Sequence, residues 1–244
     1  MVDVYRRLDS AKIVATGEAL ARRIAERFPE SALCDIAAEF VALSRSSSAS
    51  AGWLEAPHHA ARAAVGFGLV VLSTISVAVV WSLDLDMEAF STLSDLAQGI
   101  ESAVSDAVFI GVAVFFLLSF ETRLKRRRAL GVIAELRAIA HIIDMHQLTK
   151  DPERLNGRAD DTSSSPERPL TPFELTRYLD YCSELLALIS KLGALLVQGF
   201  DDPVTLHAVN EIEQLTSGMS RKIWQKISIV DRFLLSHARR ATGV

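Results

Sequence analysis

The sequence predicts an all-α protein, a two-span transmembrane helical hairpin joined to a cytoplasmic antiparallel helical bundle with coiled-coil character. Three observations carry this expectation. Half of the 244 residues are hydrophobic and 23% are charged, with a mean hydropathy of +0.24, which is more apolar material than one domain normally buries. The excess is concentrated in two stretches between residues 63 and 120. Elsewhere apolar residues recur every three or four positions, the period of a helix with one buried face. Seven Pro and 12 Gly exclude a collagenous or globally disordered chain, and 7% aromatic residues with sparse alternation argue against a sandwich or barrel.

Taken in order, residues 1–59 form an N-terminal cytoplasmic region. Asp9 or Ser10 can cap a helix carrying Ile13, Val14, Gly17, Leu20, Ala21, Ile24 and Phe28, with Pro29 after it. A second helix covers Ala32 to Leu43, and the run SRSSSASAG from Ser44 to Gly52 reads as a linker. Residues 60–121 form the membrane hairpin. Ala63 to Leu83 contains no charge over 21 residues, which at about 1.5 Å per residue spans the roughly 30 Å hydrocarbon layer. Ala103 to Phe120 is the second span, with Asp106 near its end. Between them, 84–106 is acidic and amphipathic, with six carboxylates and no Lys or Arg. The net charge of -4 therefore hides a local excess: the rest of the chain sets 26 basic residues against 24 acidic ones.

Orientation follows from the flanks. Arg123, Lys125, Arg126, Arg127 and Arg128 follow the second span and none stands in the connection, so both termini are expected in the cytoplasm, with the basic run at the membrane surface. This placement implies a multi-pass cell-membrane protein with the lipid bilayer as a partner and no nucleic acid, and the Ala- and Arg-rich usage points to a bacterial inner membrane. Gly68, Ser76 and Gly111 are the candidate packing positions within the hairpin, on small-x-x-x-small patterns.

Residues 122–244 form a C-terminal bundle. The 3.6 period continues from the basic run to Leu148, Pro152 ends that helix, and a polar Ser- and Pro-containing loop covers 150–170. Thr171-Pro172-Phe173-Glu174 is a capping box with Pro at the first helical position. The helix it opens carries a 4,3 seam through Leu186 and Ile189, the candidate bundle-packing residues, and a second stripe of Leu185, Leu188, Leu192 and Leu195. That second stripe requires the 128–148 helix or another copy of the chain, so a homo-oligomer, or a protein partner at the bundle, is expected. Tyr178, Asp180, Tyr181 and Glu184 read as a polar outer face. Asp202-Pro203 caps a last helix of roughly 34 residues, with Gly218 as its one break point.

Chemistry is thinly signalled. Cys34 and Cys182 sit in apolar helical patterns without metal or redox spacing. His141 and Asp144 share a helix face and can take a divalent metal together with His207 and Glu211. Against this, His146 lies about 140° round the helix from His141, and the carboxylate-rich Glu-x-x-His pattern of di-iron bundles is absent. Phosphate-loop, nucleophile-elbow, dinucleotide and HExxH motifs are missing, and no cofactor is implied. The expected function is an integral-membrane scaffold or signal transmitter acting through a self-associating bundle. The alternatives are a channel-like or membrane-perturbing oligomer and a metal-dependent enzyme.

Overall fold

The structure is a computed structural model that describes residues 7–56, 59–82, 93–152 and 170–242. Its elements are helices α1 (Ser10–Arg27), α2 (Ala32–Glu55), α3 (His59–Ser82), α4 (Leu93–Leu148), α5 (Pro172–Val197) and α6 (Pro203–Thr242). They fall into two compact units, Met1–Glu55 with Arg128–Val244, and Ala56–Arg127.

Local chemistry starts and stops the helices of the first unit. The Asp9 carboxylate accepts from the amides of Ala11 and Lys12 at 2.9 and 3.3 Å, filling donors that a helix start leaves open. Helix α1 ends as the Phe28 amide donates to Ile24 O at 2.7 Å, after which Ser31 O receives the Cys34 amide at 2.8 Å and α2 begins. Before α5, the Thr171 hydroxyl receives the Glu174 amide at 3.3 Å and the Glu174 carboxylate receives the Thr171 amide at 2.8 Å, so both halves of the capping box form. The Asp202 carboxylate starts α6 by receiving the Thr205 amide and hydroxyl, each at 2.9 Å.

Helix α2 does not stop at Leu43. It runs through the serine stretch to Glu55, because Ser44, Ser47, Ser50 and Ala51 form its buried face and small side chains let neighbouring helices approach closely. The hydroxyls of Ser44 and Ser46 are satisfied within the helix, donating to Val41 O and Leu43 O at 2.8 and 2.9 Å. Helix α6 likewise passes Gly218 without a break and is 40 residues long.

Helix α5 is the axis of this unit and packs against α1, α2 and α6. Its seam residues Leu175, Leu179, Cys182, Leu186, Ile189 and Leu196 are buried, and so are Leu185, Leu188, Leu192 and Leu195 of the second stripe. Gly193 sets the spacing to α6: a Cβ there would lie 3.2 Å from Ile212 Cγ2. The last part of α4 adds Ala129, Ile133, Leu136, Ala140 and Ile143 to the same core. It is tied to α2 by Arg128, whose guanidinium donates to Ser50 Oγ at 3.3 Å and lies over the Trp53 ring. Its tie to α6 is an Arg137–Glu211 ion pair of 2.8 Å. At the far end, the Gln198 side chain pairs with both backbone groups of Leu8, accepting from its amide at 2.6 Å and donating to its carbonyl at 3.2 Å.

The second stripe of α5 is thus covered inside one chain. The argument for a homo-oligomer, or for a protein partner needed to complete the bundle, falls with it.

The two-span membrane hairpin is also corrected. Among the described residues one helical segment, Val104–Leu148, is long and apolar enough to cross a membrane, and the other apolar segment, Ala63–Ile75, belongs to the shorter class of 10–17 residues. The multi-pass cell-membrane placement with both termini in the cytoplasm, the lipid-bilayer partner and the bacterial inner-membrane setting all depended on two spans, and they go with it. What organises the chain is an all-α bundle. In the unit Ala56–Arg127, α3 meets the first part of α4 where Gly68 faces Leu117, at 3.2 Å from an added Cβ; Phe67, Phe109 and Phe115 are exposed. Residues 83–92, which include the first part of the acidic connection, and 153–169, most of the polar loop, lie outside the described residues; from Leu93 the connection is part of α4.

Candidate functional site

The residues singled out as metal ligands do not converge. The Asp144 carboxylate accepts from the Gln147 side chain at 2.7 Å, and the Glu211 carboxylate is taken by Arg137 at 2.8 Å. His207 lies 3.5 Å from Glu211 on the exposed face of α6. His141 is exposed on α4. Among the described residues no group of three or more His, Cys, Asp or Glu can hold a metal ion. The metal-dependent enzyme is corrected on this finding, since a guanidinium already neutralises the carboxylate that would have joined the two helices. The integral-membrane scaffold and the channel-like oligomer are corrected with the two-span hairpin.

The basic run is largely spent on internal contacts. Lys125 is buried, donating to Ala56 O at 3.0 Å and pairing with Glu121 at 3.2 Å. Arg123 lies over the Phe116 ring and Arg128 over Trp53. Gly68 stands at a close helix approach, whereas nothing among the described residues lies within 4 Å of an added Cβ at Gly111. Ser76 is in α3, and its side chain is outside the described residues. Leu186 and Ile189 are fully buried in α5.

A concave feature lies at one end of the bundle, in the unit built on α5. A cavity of about 440 Å³ is lined by Phe28, Pro29, Glu30, Ser31 and Ala32 from the α1–α2 turn, by His146, Thr149 and Lys150 from the end of α4, and by Leu170 and Tyr178 at the start of α5. Sequence rules explain each wall. Pro29 cannot continue α1 after the Phe28 cap; the chain leaves α4 at Lys150, whose amide donates to Gln147 O at 3.1 Å; and the capping box fixes where α5 begins.

Tyr178 is the floor. Far from a polar outer face, it is only 4% exposed and its neighbour Tyr181 only 6%. The Phe28 ring meets Tyr178 edge-to-face at 5.7 Å and Tyr181 at 6.2 Å, a geometry favoured by the ring quadrupoles. The Lys150 ammonium stands 5.3 Å from the Tyr178 ring centroid. Burial drives the Tyr178 hydroxyl far above the ordinary phenol range, with Cys182 adding to the shift. Glu184 and Asp180, the other members of that group, pair with Arg23 at 2.8 Å and Arg177 at 3.3 Å.

Behind the floor, Lys226 reaches from α6 to donate to Gln147 O at 2.7 Å, supplying a C-terminal carbonyl of α4 with a donor. Burial lowers its ammonium below the ordinary lysine range, while Asp151 and Asp144 pull the other way. Cys182 is fully buried, and burial pushes its thiol up to about 12, against the pull of Lys226 and Lys150. A thiol so placed is not a nucleophile at neutral pH. The cavity therefore sets the apolar surface of Phe28, Pro29, Ala32, Leu170 and Tyr178 beside the polar groups of Glu30, Ser31, His146, Thr149 and Lys150.

Sequence reasoning missed this site because its walls join the α1–α2 turn to segments more than a hundred residues further along the chain. The one available signal was the unusual pair of tyrosines beside a capping box. Comparison of the chain with protein-family models, curated proteins and solved structures finds no match.

Proposed function

We propose that this chain is a ligand-binding helical bundle, which holds a small organic molecule in the end cavity formed by the α1–α2 turn, the end of α4 and the start of α5. The observation that carries the reading is the cavity itself. Its volume of about 440 Å³ falls within the range of small-molecule sites, which are typically apolar with a few placed polar groups. Phe28, Leu170 and Tyr178 supply apolar surface; Ser31, Thr149, His146 and Lys150 supply polar groups. Because three separated segments share the walls, an occupant joins them and stabilises the folded state by mass action.

The test is a screen of small organic compounds against the full chain by ligand-detected NMR and thermal shift, repeated with Ala32→Trp, which fills the cavity from the exposed first position of α2. Binders are expected that raise the melting temperature of the wild type and lose their effect on the variant. A screen without binders, or binders indifferent to Ala32→Trp, overturns the reading.

A further inference from the structure

We infer that the cavity selects an organic monoanion, a carboxylate on a small aromatic or branched apolar body, with Lys150 as the residue that anchors its charge; this rests on the cavity being a ligand site. Two ionic side chains line it, Lys150 and Glu30, together with His146. They are not equivalent. Glu30 is exposed on the turn after Pro29, where water screens it. Lys150 is half-buried, and its ammonium is held over the face of Tyr178, 5.3 Å from the centroid.

That contact decides the sign of the ligand. An aromatic face is the natural seat for a cation, but here the chain's own lysine occupies it, and the ring also meets Phe28 edge-to-face at 5.7 Å. A cation–π contact orients an ammonium without neutralising it, so its N–H donors stay available for a carboxylate, as charge-assisted hydrogen bonds. The hydroxyls of Ser31 and Thr149 already donate to Phe28 O at 2.9 Å and His146 O at 3.3 Å, so Lys150 is the main donor for the anion. A dianionic phosphate would ask for more than one cation, whereas the walls, among the described residues, contain one lysine and an opposing carboxylate. The apolar body has its own surface on Phe28 and Leu170.

The experiment is calorimetric titration of the full chain with benzoate, phenylacetate and isovalerate, each paired with its neutral amide. At least one acid is expected to bind about tenfold or more tightly than its amide, a difference of about 1.4 kcal/mol, and the preference should shrink as salt rises. Lys150→Met should remove the preference and Lys150→Arg should retain it. Acid and amide binding equally to the wild type overturns the anion inference and leaves the cavity reading standing. Failure of every acid and amide to bind, together with failure of the broader screen, overturns both. A preference that survives Lys150→Met in a variant with wild-type helicity overturns the assignment to Lys150.

Discussion

The Cys182 thiol, raised from 9.0 to about 12 by desolvation, keeps its proton more tightly folded than unfolded. Its contribution to stability is therefore complete below pH 9 and is lost as pH climbs toward 12. The expected outcome is a protein whose denaturation midpoint falls steadily above pH 9, less steeply in Cys182→Ala. At pH 8 a thiol reagent should titrate one cysteine rapidly, the half-exposed Cys34, and a second only in denaturant; two fast equivalents would contradict the burial of Cys182. Ser47 presents a different consequence of burial, a hydroxyl oxygen with no hydrogen-bond partner among the described residues. Removing an unsatisfied buried polar atom relieves a desolvation cost, so Ser47→Ala should stabilise the bundle by about 1 kcal/mol in urea denaturation. A loss of stability would mean that the hydroxyl has a partner.

Helix α5 is the element on which the unit depends, since both of its apolar stripes are buried and it meets three other helices. Leu186, with no exposed surface, lies in the middle of the seam. Leu186→Ala should cost about 2–5 kcal/mol, the range for emptying a well-packed site; a cost under about 1 kcal/mol would show that the core collapses around the gap. At Gly193 the effect has the other sign of volume. A leucine there must displace Ile212 Cγ2, 3.2 Å from the position of its Cβ, and overpacking of this kind costs about 1–3 kcal/mol. Gly218, with nothing among the described residues within 4 Å of an added Cβ, is the control on the neighbouring helix: Gly218→Ala should stabilise α6 by about 1 kcal/mol through helix propensity alone.

At the scale of the molecule, the bundle is assembled from two stretches of chain separated by the whole of the other unit. Its exit and re-entry points are adjacent, because the Arg128 guanidinium lies 4.7 Å from the Trp53 ring and bonds to Ser50. A chain in which residues 57–127 are replaced by a short Gly-Ser linker should therefore fold into the same helices and unfold in one cooperative transition, followed by circular dichroism. A broad, non-cooperative melt would show that the bundle draws stability from the excised unit.

The division between sequence and tertiary structure follows the range of the forces involved. Asp9, Thr171 with Glu174, and Asp202 were readable as helix starts because each cap is a hydrogen bond closed within three residues. The seam of α5 was readable because the helical period places Leu179, Cys182, Leu186 and Ile189 on one face whatever the partner. The serine stretch of α2 was not, since small polar residues lack helix preference of their own and become helical there through a face buried against other helices. The burial of Tyr178 and Tyr181, the covering of the second leucine stripe and the joining of Phe28, Lys150 and Tyr178 around one cavity were decided by tertiary structure alone. Each depends on which distant segment arrives beside it, and neither composition nor period encodes that arrival.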